Sequence, residues 1–265
     1  MYSPFQLAIK YLRYYFTASN GKGHGVHSPF VFDFIQHVLR DKKQYDCYYK
    51  IESARKELLS NKKIIEVEDF GAGSTVIKSN QRVIKDIAAS SLKPKKYAQL
   101  LYRMVKYYQP TTILELGTSF GITTSYLASG NYSAKVYTCE GAKEIATIAK
   151  QNFSILNFNN IDVVQGDFAI TIPILFDQLK MIDFAFIDGN HRKAPTLAYF
   201  SKLLNRSTNS TILIFDDIHW SVEMEQAWEE IKQHPSVTLS IDLFFIGIVS
   251  INPAIKVKQH FTIRY

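Results

Sequence analysis

The chain has 265 residues, 46% hydrophobic, 14% aromatic and 21% charged, a globular composition that excludes a disordered or fibrous protein. At this length folding buries roughly 70 to 75% of the unfolded surface, so neither disulfides nor a structural metal are needed. The formal charge of +7 is uneven: residues 1–110 hold 19 Lys+Arg against 9 Asp+Glu, and residues 111–265 hold 12 against 15.

That asymmetry suggests a basic N-terminal element that meets something anionic beside a core carrying carboxylates; the alternative is that the lysines only solubilise helices. Two cysteines, Cys47 and Cys139, form no C-x-x-C pair and are too few for a disulfide framework. The opening residues, interrupted by Lys10 and Arg13, lack the features of a signal peptide, and no apolar run approaches the ~18 residues of a membrane span. A cytoplasmic protein is expected.

From Phe5, the positions Ala8, Ile9, Leu12 and Phe16 follow helical spacing with Lys10 and Arg13 off that face, and burial of the aromatics in this region is the expectation. A glycine-rich loop follows, with His24 and His27 flanking Gly25, too few ligands for a zinc site. It ends where Ser28 can cap a helix that has Pro29 at its first position. More helix is expected to about Leu59, then an irregular stretch over residues 62–80, then a helix from Pro94 that stops before Pro110. Residues 1–93 therefore read as a mostly helical basic cap or lid.

Beyond Pro110 short apolar strands alternate with helical stretches, which predicts an α/β fold with a parallel sheet. Strands are expected at residues 112–116, 135–139, 162–165, 182–187 and 211–215, with helices near residues 121–128, 143–156, 170–178, 194–204 and 221–233. Residues 237–244 and 247–251 are too closely joined for a helical crossover and predict an antiparallel hairpin, after which HFTIRY can add an edge strand.

The first of these strands runs into ELGTSFG, where Gly117 and Gly121 bracket a strand-to-helix turn open to close approach by a ligand. The spacing is G-x-x-x-G, so the dinucleotide fingerprint is absent. Glu140 ends the next strand, where a carboxylate can accept both hydroxyls of a ribose. A rival loop, DFGAGST with Asp69, Gly71 and Gly73, has no acid-ended strand about 20 residues later and reads as a structural loop or lid.

ELGTSFG, the CE that ends the second strand, the QGD of residues 165–167 and the later FIDG together resemble the class I S-adenosylmethionine-dependent methyltransferases over roughly residues 94–251. The resemblance implies a Rossmann-like sheet with a closing antiparallel hairpin, making residues 94–265 the cofactor-binding domain. It places Gly117, Ser119 and Gly121 beneath the methionine part of S-adenosyl-L-methionine, with Glu115 supporting that loop. Glu140 then holds the ribose and Asp167 lies near the adenine.

Two further strands end in IDGNH and FDDIHW, residues 188–191 and 216–220 among them. Ligands of open parallel sheets bind beyond the carboxyl ends of the strands. Asp188 can share a cation with Asp216 or Asp217, and oxygen ligands suit Mg²⁺ or a similar hard divalent ion. Adjacent acids on a strand point oppositely, so both can bind only if the strand has already turned. In many sheets of this kind such acids only orient loops or cap helices, which is the alternative.

The pattern is similar to metal-dependent O-methyltransferases. In their catechol type a lysine follows the first metal aspartate by three residues; here that position is His191, as in the sugar-modifying type, and Asp217 replaces an asparagine. The implied chemistry has a cation ease deprotonation of an acceptor hydroxyl while His191 takes the proton. His219 and Trp220 line a substrate wall or simply pack. The expected acceptor is a small molecule, anionic if the basic region closes over it. An RNA-modifying methyltransferase, a nicotinamide oxidoreductase and a non-catalytic cofactor-binding protein are alternatives, and a homodimer is compatible with the aromatic N-terminus.

Overall fold

The computed structural model describes residues 1–19, 21, 28–67 and 80–265. His24, His27 and the DFGAGST loop with Asp69, Gly71 and Gly73 lie outside the described residues. The chain divides into two compact units, one of residues Met1–Asp41 with Lys180–Tyr265 and the other of Lys42–Leu179.

The first unit begins with α1 (Pro4–Thr17), started by a capping box in which Ser3 and Gln6 satisfy each other's backbone N–H groups, with Pro4 at the first position. Helix α2 (Pro29–Phe34) also starts on a proline and passes into a π-helical turn, Ile35–Leu39. Ser28 stands at its N-cap without a side-chain capping hydrogen bond.

The second unit holds α3 (Asp46–Ser60), β1 (Ile64–Glu66), β2 (Gln81–Val83), α4 (Ile84–Ser91) and α5 (Lys95–Tyr108). Strands β1 and β2 pair antiparallel, where an irregular stretch was expected, and α4 was not foreseen. Gln109, left-handed at φ 50, ends α5 directly before Pro110, whose missing N–H and ring bar continuation. The helices of residues 1–93 are thus shared between the two units.

The unit continues through β3 (Thr112–Leu116), α6 (Ile122–Gly130), β4 (Lys135–Glu140), α7 (Lys143–Ile155), β5 (Ile161–Gln165) and α8 (Phe168–Gln178). Strands β3, β4 and β5 lie side by side, all parallel, with Leu116 opposite Cys139 and Glu140 opposite Gln165. Tyr48, Ile51, Ile84, Tyr102, Phe120 and Tyr126 share one core, so α3 to α6 are packed as a single body.

The first unit resumes with β6 (Ile182–Ile187), α9 (Lys193–Leu204), β7 (Ser207–Asp216), α10 (Val222–Gln233), β8 (Leu239–Asp242), β9 (Ile246–Ser250) and β10 (Gln259–Thr262). Its strand order is β10-β8-β9-β7-β6. Strands β6 and β7 are parallel; β9 pairs antiparallel with both β7 and β8, forming the expected hairpin, and β10 adds a parallel edge to β8. The α/β class, the parallel strands and the hairpin all match the expectation. Strand β6, IDFAFI, is buried at every position but Asp183, as its apolar run from Phe184 to Ile187 requires of a strand covered on both faces.

Helix α1 departs from its expected orientation. Ile9, Leu12 and Phe16 are exposed, at 51%, 54% and 76%, whereas Tyr14 is buried. Polar anchors set this orientation: Lys10 binds the Glu225 carboxylate on α10, Tyr2 donates to the same group at 2.6 Å, and the Tyr14 hydroxyl donates to the carbonyl of Ile263. Among the described residues no helix is long and apolar enough to cross a membrane.

Candidate active site

The turn from β3 into α6 is built from left-handed residues. Gly117, Ser119 and Gly121 have φ values of 102°, 48° and 80°, a sequence of positive φ that lets the five residues between β3 and α6 reverse direction. The N–H groups of Gly117 and Thr118 both donate to the carbonyl of Cys139, at 3.0 and 3.1 Å, tying the turn to the end of β4. A Cβ on Gly121 would overlap the ring of Phe153 on α7, so glycine is required there for helix packing as well as for its φ.

Glu140, the last residue of β4, receives the Ser119 N–H at 2.8 Å on one carboxylate oxygen and the Ala142 N–H at 3.0 Å on the other. Each oxygen keeps a further lone pair for a ligand. Burial pushes this carboxyl upward, against the opposing pull of those N–H groups. Ser119 also meets Ser91 of α4, hydroxyl to hydroxyl, at 2.8 Å. Gly166, at φ 134, follows β5, and Asp167 caps α8 by accepting the Ala169 N–H at 2.8 Å. Gly117, Ser119, Gly121 and Glu140 therefore converge, while Asp167 has a helix-capping task that sequence reasoning did not assign.

Glu115 lies beneath the loop, fully buried. One carboxylate oxygen accepts from the hydroxyls of Thr124 and Thr138; the other has no hydrogen-bond partner among the described residues. Burial pushes its pKa up to about 7, the threonine bonds pulling the other way. Because the folded value is above the unfolded value near 4.5, the folded chain holds the extra proton between them, and stability is lost as pH rises from about 4.5 to about 7. Glu115→Gln keeps an oxygen for the threonines and removes the titration. We expect it to melt at or above the wild-type temperature at pH 8, and to lose that advantage at pH 4.5. A variant that melts well below wild type at pH 8 would show that its surroundings favour the buried carboxylate rather than penalise it, contrary to the upward shift.

The second set of candidates lies in the other unit. Asp188 directly follows β6, His191 follows a turn through left-handed Asn190, and Asp216 ends β7. One ligand atom from each lies within 4.8 Å of the others, and the His191 Nε2 stands 3.5 Å from Asp188 Oδ1. Asp216 is 1% exposed and the other two are half-buried. Two carboxylates and an imidazole converging at strand ends form a donor set that fits a divalent cation.

Asp217 stands outside that group. The strand has already turned, with Asp217 at φ 52, its N–H donating to Phe245 at 2.7 Å and its carbonyl accepting from Trp220 at 2.9 Å. His219 bridges two acids, Asp242 at 2.8 Å and Glu225 at 3.0 Å, and stacks on Phe244. Burial alone would lower its pKa, but the two carboxylates more than offset this and the net shift is upward. It is thus part of the network that holds α1, together with Tyr2, Lys10 and Glu225. Sequence reasoning missed that network because its members are separated by up to 223 residues.

Residues 114–218, which span both groups of candidate residues, match the family model described as a methyltransferase domain. The chain carries a methyltransferase domain. No curated protein matches the sequence. Among solved structures, the chain is similar to the O-methyltransferase from Bacillus cereus in complex with SAH, at TM-score 0.54 and 20% identity, covering 81% of this chain and 95% of that one. It is similar to SAH-bound Podospora anserina methyltransferase PaMTH1 at TM-score 0.58 and 10% identity, over 95% and 97% of the two chains. Similarity to TomG, an O-methyltransferase from Streptomyces achromogenes in complex with SAM, is at TM-score 0.54 and 14% identity, over 82% and 95%. At these identities the likeness establishes the class I methyltransferase fold. The G-x-x-x-G turn, read without the dinucleotide fingerprint, belongs to that fold.

Proposed function

We propose that the protein is an S-adenosylmethionine-dependent O-methyltransferase, assisted by a divalent cation and acting on a hydroxyl of a small molecule. The observation that carries this reading is the Glu140 carboxylate, held by two backbone N–H groups at the mouth of the β3–α6 turn within a methyltransferase domain. Its remaining lone pairs suit a ribose diol, and its anchoring to Ser119 keeps the loop and the acid in register.

In this assignment Gly117, Ser119 and Gly121 form the floor for the methionine part, Glu115 braces that floor from beneath, and Asp167 lies on the adenine side. S-adenosylmethionine, when bound, supplies a sulfonium methyl together with its own leaving group. Asp188 and Asp216 are the cation ligands. A divalent cation, when bound, lowers the cost of placing negative charge on a neighbouring oxygen. His191 takes the acceptor proton on its imidazole, and the Asp188 carboxylate 3.5 Å away stabilises the imidazolium so formed. Asp217 is left to the turn after β7. The similarity to O-methyltransferases from Bacillus cereus and Streptomyces achromogenes supports the choice of oxygen as acceptor.

Calorimetry with S-adenosylhomocysteine tests the cofactor half of the reading. Glu140→Ala should weaken binding by about 1 to 3 kcal/mol, the cost of leaving charge-assisted partners unmade, with the melting temperature measured in parallel to confirm folding. NAD(H) should show no binding. Unchanged affinity in the folded variant would remove the cofactor assignment.

A further inference from the structure

Helix α1 is mounted inside out. Its inward anchors are polar or hydroxylated: Lys10 and the preceding Tyr2 hold Glu225, Tyr14 donates to Ile263, and Tyr11 packs edge-on against Phe244 at 5.1 Å, while Gln6, Arg13 and Tyr15 are exposed. Its large aliphatic and aromatic residues face outward, with Phe5 at 74% exposure, Ile9 at 51%, Leu12 at 54% and Phe16 at 76%. The inward anchors come from three positions along the helix, so it cannot roll to bury the outer residues without breaking all of them.

The four most exposed large apolar residues are spaced four, three and four apart, the alternation of a coiled-coil seam, with Ala8 and Tyr15 exposed along one side of it. An interfacial helix needs basic residues to meet anionic lipid, whereas of the two in α1 Lys10 is committed to Glu225. The seam is a palindrome in type. Laid antiparallel on a second copy about a two-fold axis between Ile9 and Leu12, Phe5 meets the other Phe16 and Ile9 meets the other Leu12. Arg13 then faces Ala8 of the other helix, so the two arginines do not oppose each other.

We propose that the protein is a homodimer joined by antiparallel pairing of α1. The interface is isologous, as a two-fold pair demands. Four large apolar side chains, with Met1 at 72% exposure beside them, offer on the order of 600 Å² per copy, close to the ~800 Å² per partner of a standard interface. None of these residues belongs to either group of candidate active-site residues, and the proposal stands without the methyltransferase assignment.

The test is the molar mass in solution of the full chain, by size-exclusion chromatography with light scattering at about 50 µM, above the Kd of most specific interfaces. Wild type should run at twice the chain mass, and the exposed-site double variant Ile9→Glu/Leu12→Glu at the chain mass, with an unchanged circular-dichroism spectrum and a cooperative melt. A monomeric wild type, or a dimer that survives the double substitution, would overturn the proposal. So would a wild-type monomer that co-sediments with phosphatidylglycerol vesicles, which would give the stripe to lipid. Register is read separately: on mixing and oxidation, Ile9→Cys and Leu12→Cys chains should cross-link to each other. Preferential linking of Leu12→Cys to itself would refute the antiparallel pairing.

Discussion

Replacing His191 by alanine should lower the rate of methyl transfer by about 10² to 10⁴, the usual contribution of a positioned general base, while leaving divalent-cation affinity nearly unchanged. The geometry makes this a sharp test. His191 sits with Asp188 and Asp216 in one group of donor atoms, and its Nε2 lies 3.5 Å from a carboxylate oxygen of Asp188, too long for a strong hydrogen bond but well placed to stabilise an imidazolium. As a base, the imidazole must be neutral before the reaction and charged after it; as a ligand, it would be neutral throughout. Asp188→Asn and Asp216→Asn each remove a charged oxygen ligand and should weaken Mn²⁺ or Mg²⁺ binding in calorimetry. If His191→Ala weakens the ion as much as Asp188→Asn does, the residue is a ligand and another group takes the proton. With an acceptor in hand, activity should fall in chelator and return with Mg²⁺. Full activity in chelator would leave Asp188 as an orienting group.

Gly121→Val should destabilise the fold by roughly 2 to 5 kcal/mol. Two costs combine: an L-residue held at φ 80, worth about 1 to 2 kcal/mol, and a side chain forced into the Phe153 ring, worth about 1 to 3 kcal/mol. For a chain of this size the melting temperature should drop by roughly 5 to 15 °C, measured by calorimetry. Phe153→Leu in the same chain should recover the packing part only, because the backbone cost is untouched. Full recovery would mean that the left-handed conformation is not enforced. Asn152, beside Phe153, donates to the Phe120 carbonyl at 2.9 Å, so α7 braces this turn from two positions. Loss of cofactor affinity in the same variant would follow from displacement of Ser119, which carries the Glu140 contact.

Much of the α/β part was legible from the chain. Strands β3 and β6 have the bounds expected from their apolar runs, and β4, β5 and β7 differ from expectation by one to four residues at an end. Such runs are legible because a strand covered on both faces is apolar at nearly every position, Glu115 and Asp183 being the charged exceptions in β3 and β6, and because glycine and acid residues mark where it stops. The candidate site was legible for the same reason: Glu140, Asp188 and Asp216 stand at strand ends, and strand ends are where side chains leave the packed layers. The short β1–β2 pair and α4 were not legible. Three-residue strands have too little sequence to show a period, and β1 and β2 find each other only across 14 intervening residues.

Local sequence by itself determined that residues 4–17 form a helix, since Ser3, Pro4 and Gln6 start it and the apolar spacing sustains it. It could not determine which side of that helix faces inward. Periodicity reports two faces and assumes that the apolar one is buried, but Glu225, Phe244 and Ile263 are more than 200 residues away and offer a carboxylate, an aromatic edge and a carbonyl. Those partners select Tyr2, Lys10 and Tyr14 and leave Phe5, Ile9, Leu12 and Phe16 outside. The same distinction applies to Asp216 and Asp217. Chain order made them equivalent neighbours at a strand end, and only the pairing of Asp217 with Phe245 on the adjoining hairpin turned the backbone so that Asp216 alone joins Asp188 and His191. Sequence sets what each residue can do within a few positions; which of those capacities is used depends on the partners that distant parts of the chain bring within hydrogen-bond reach.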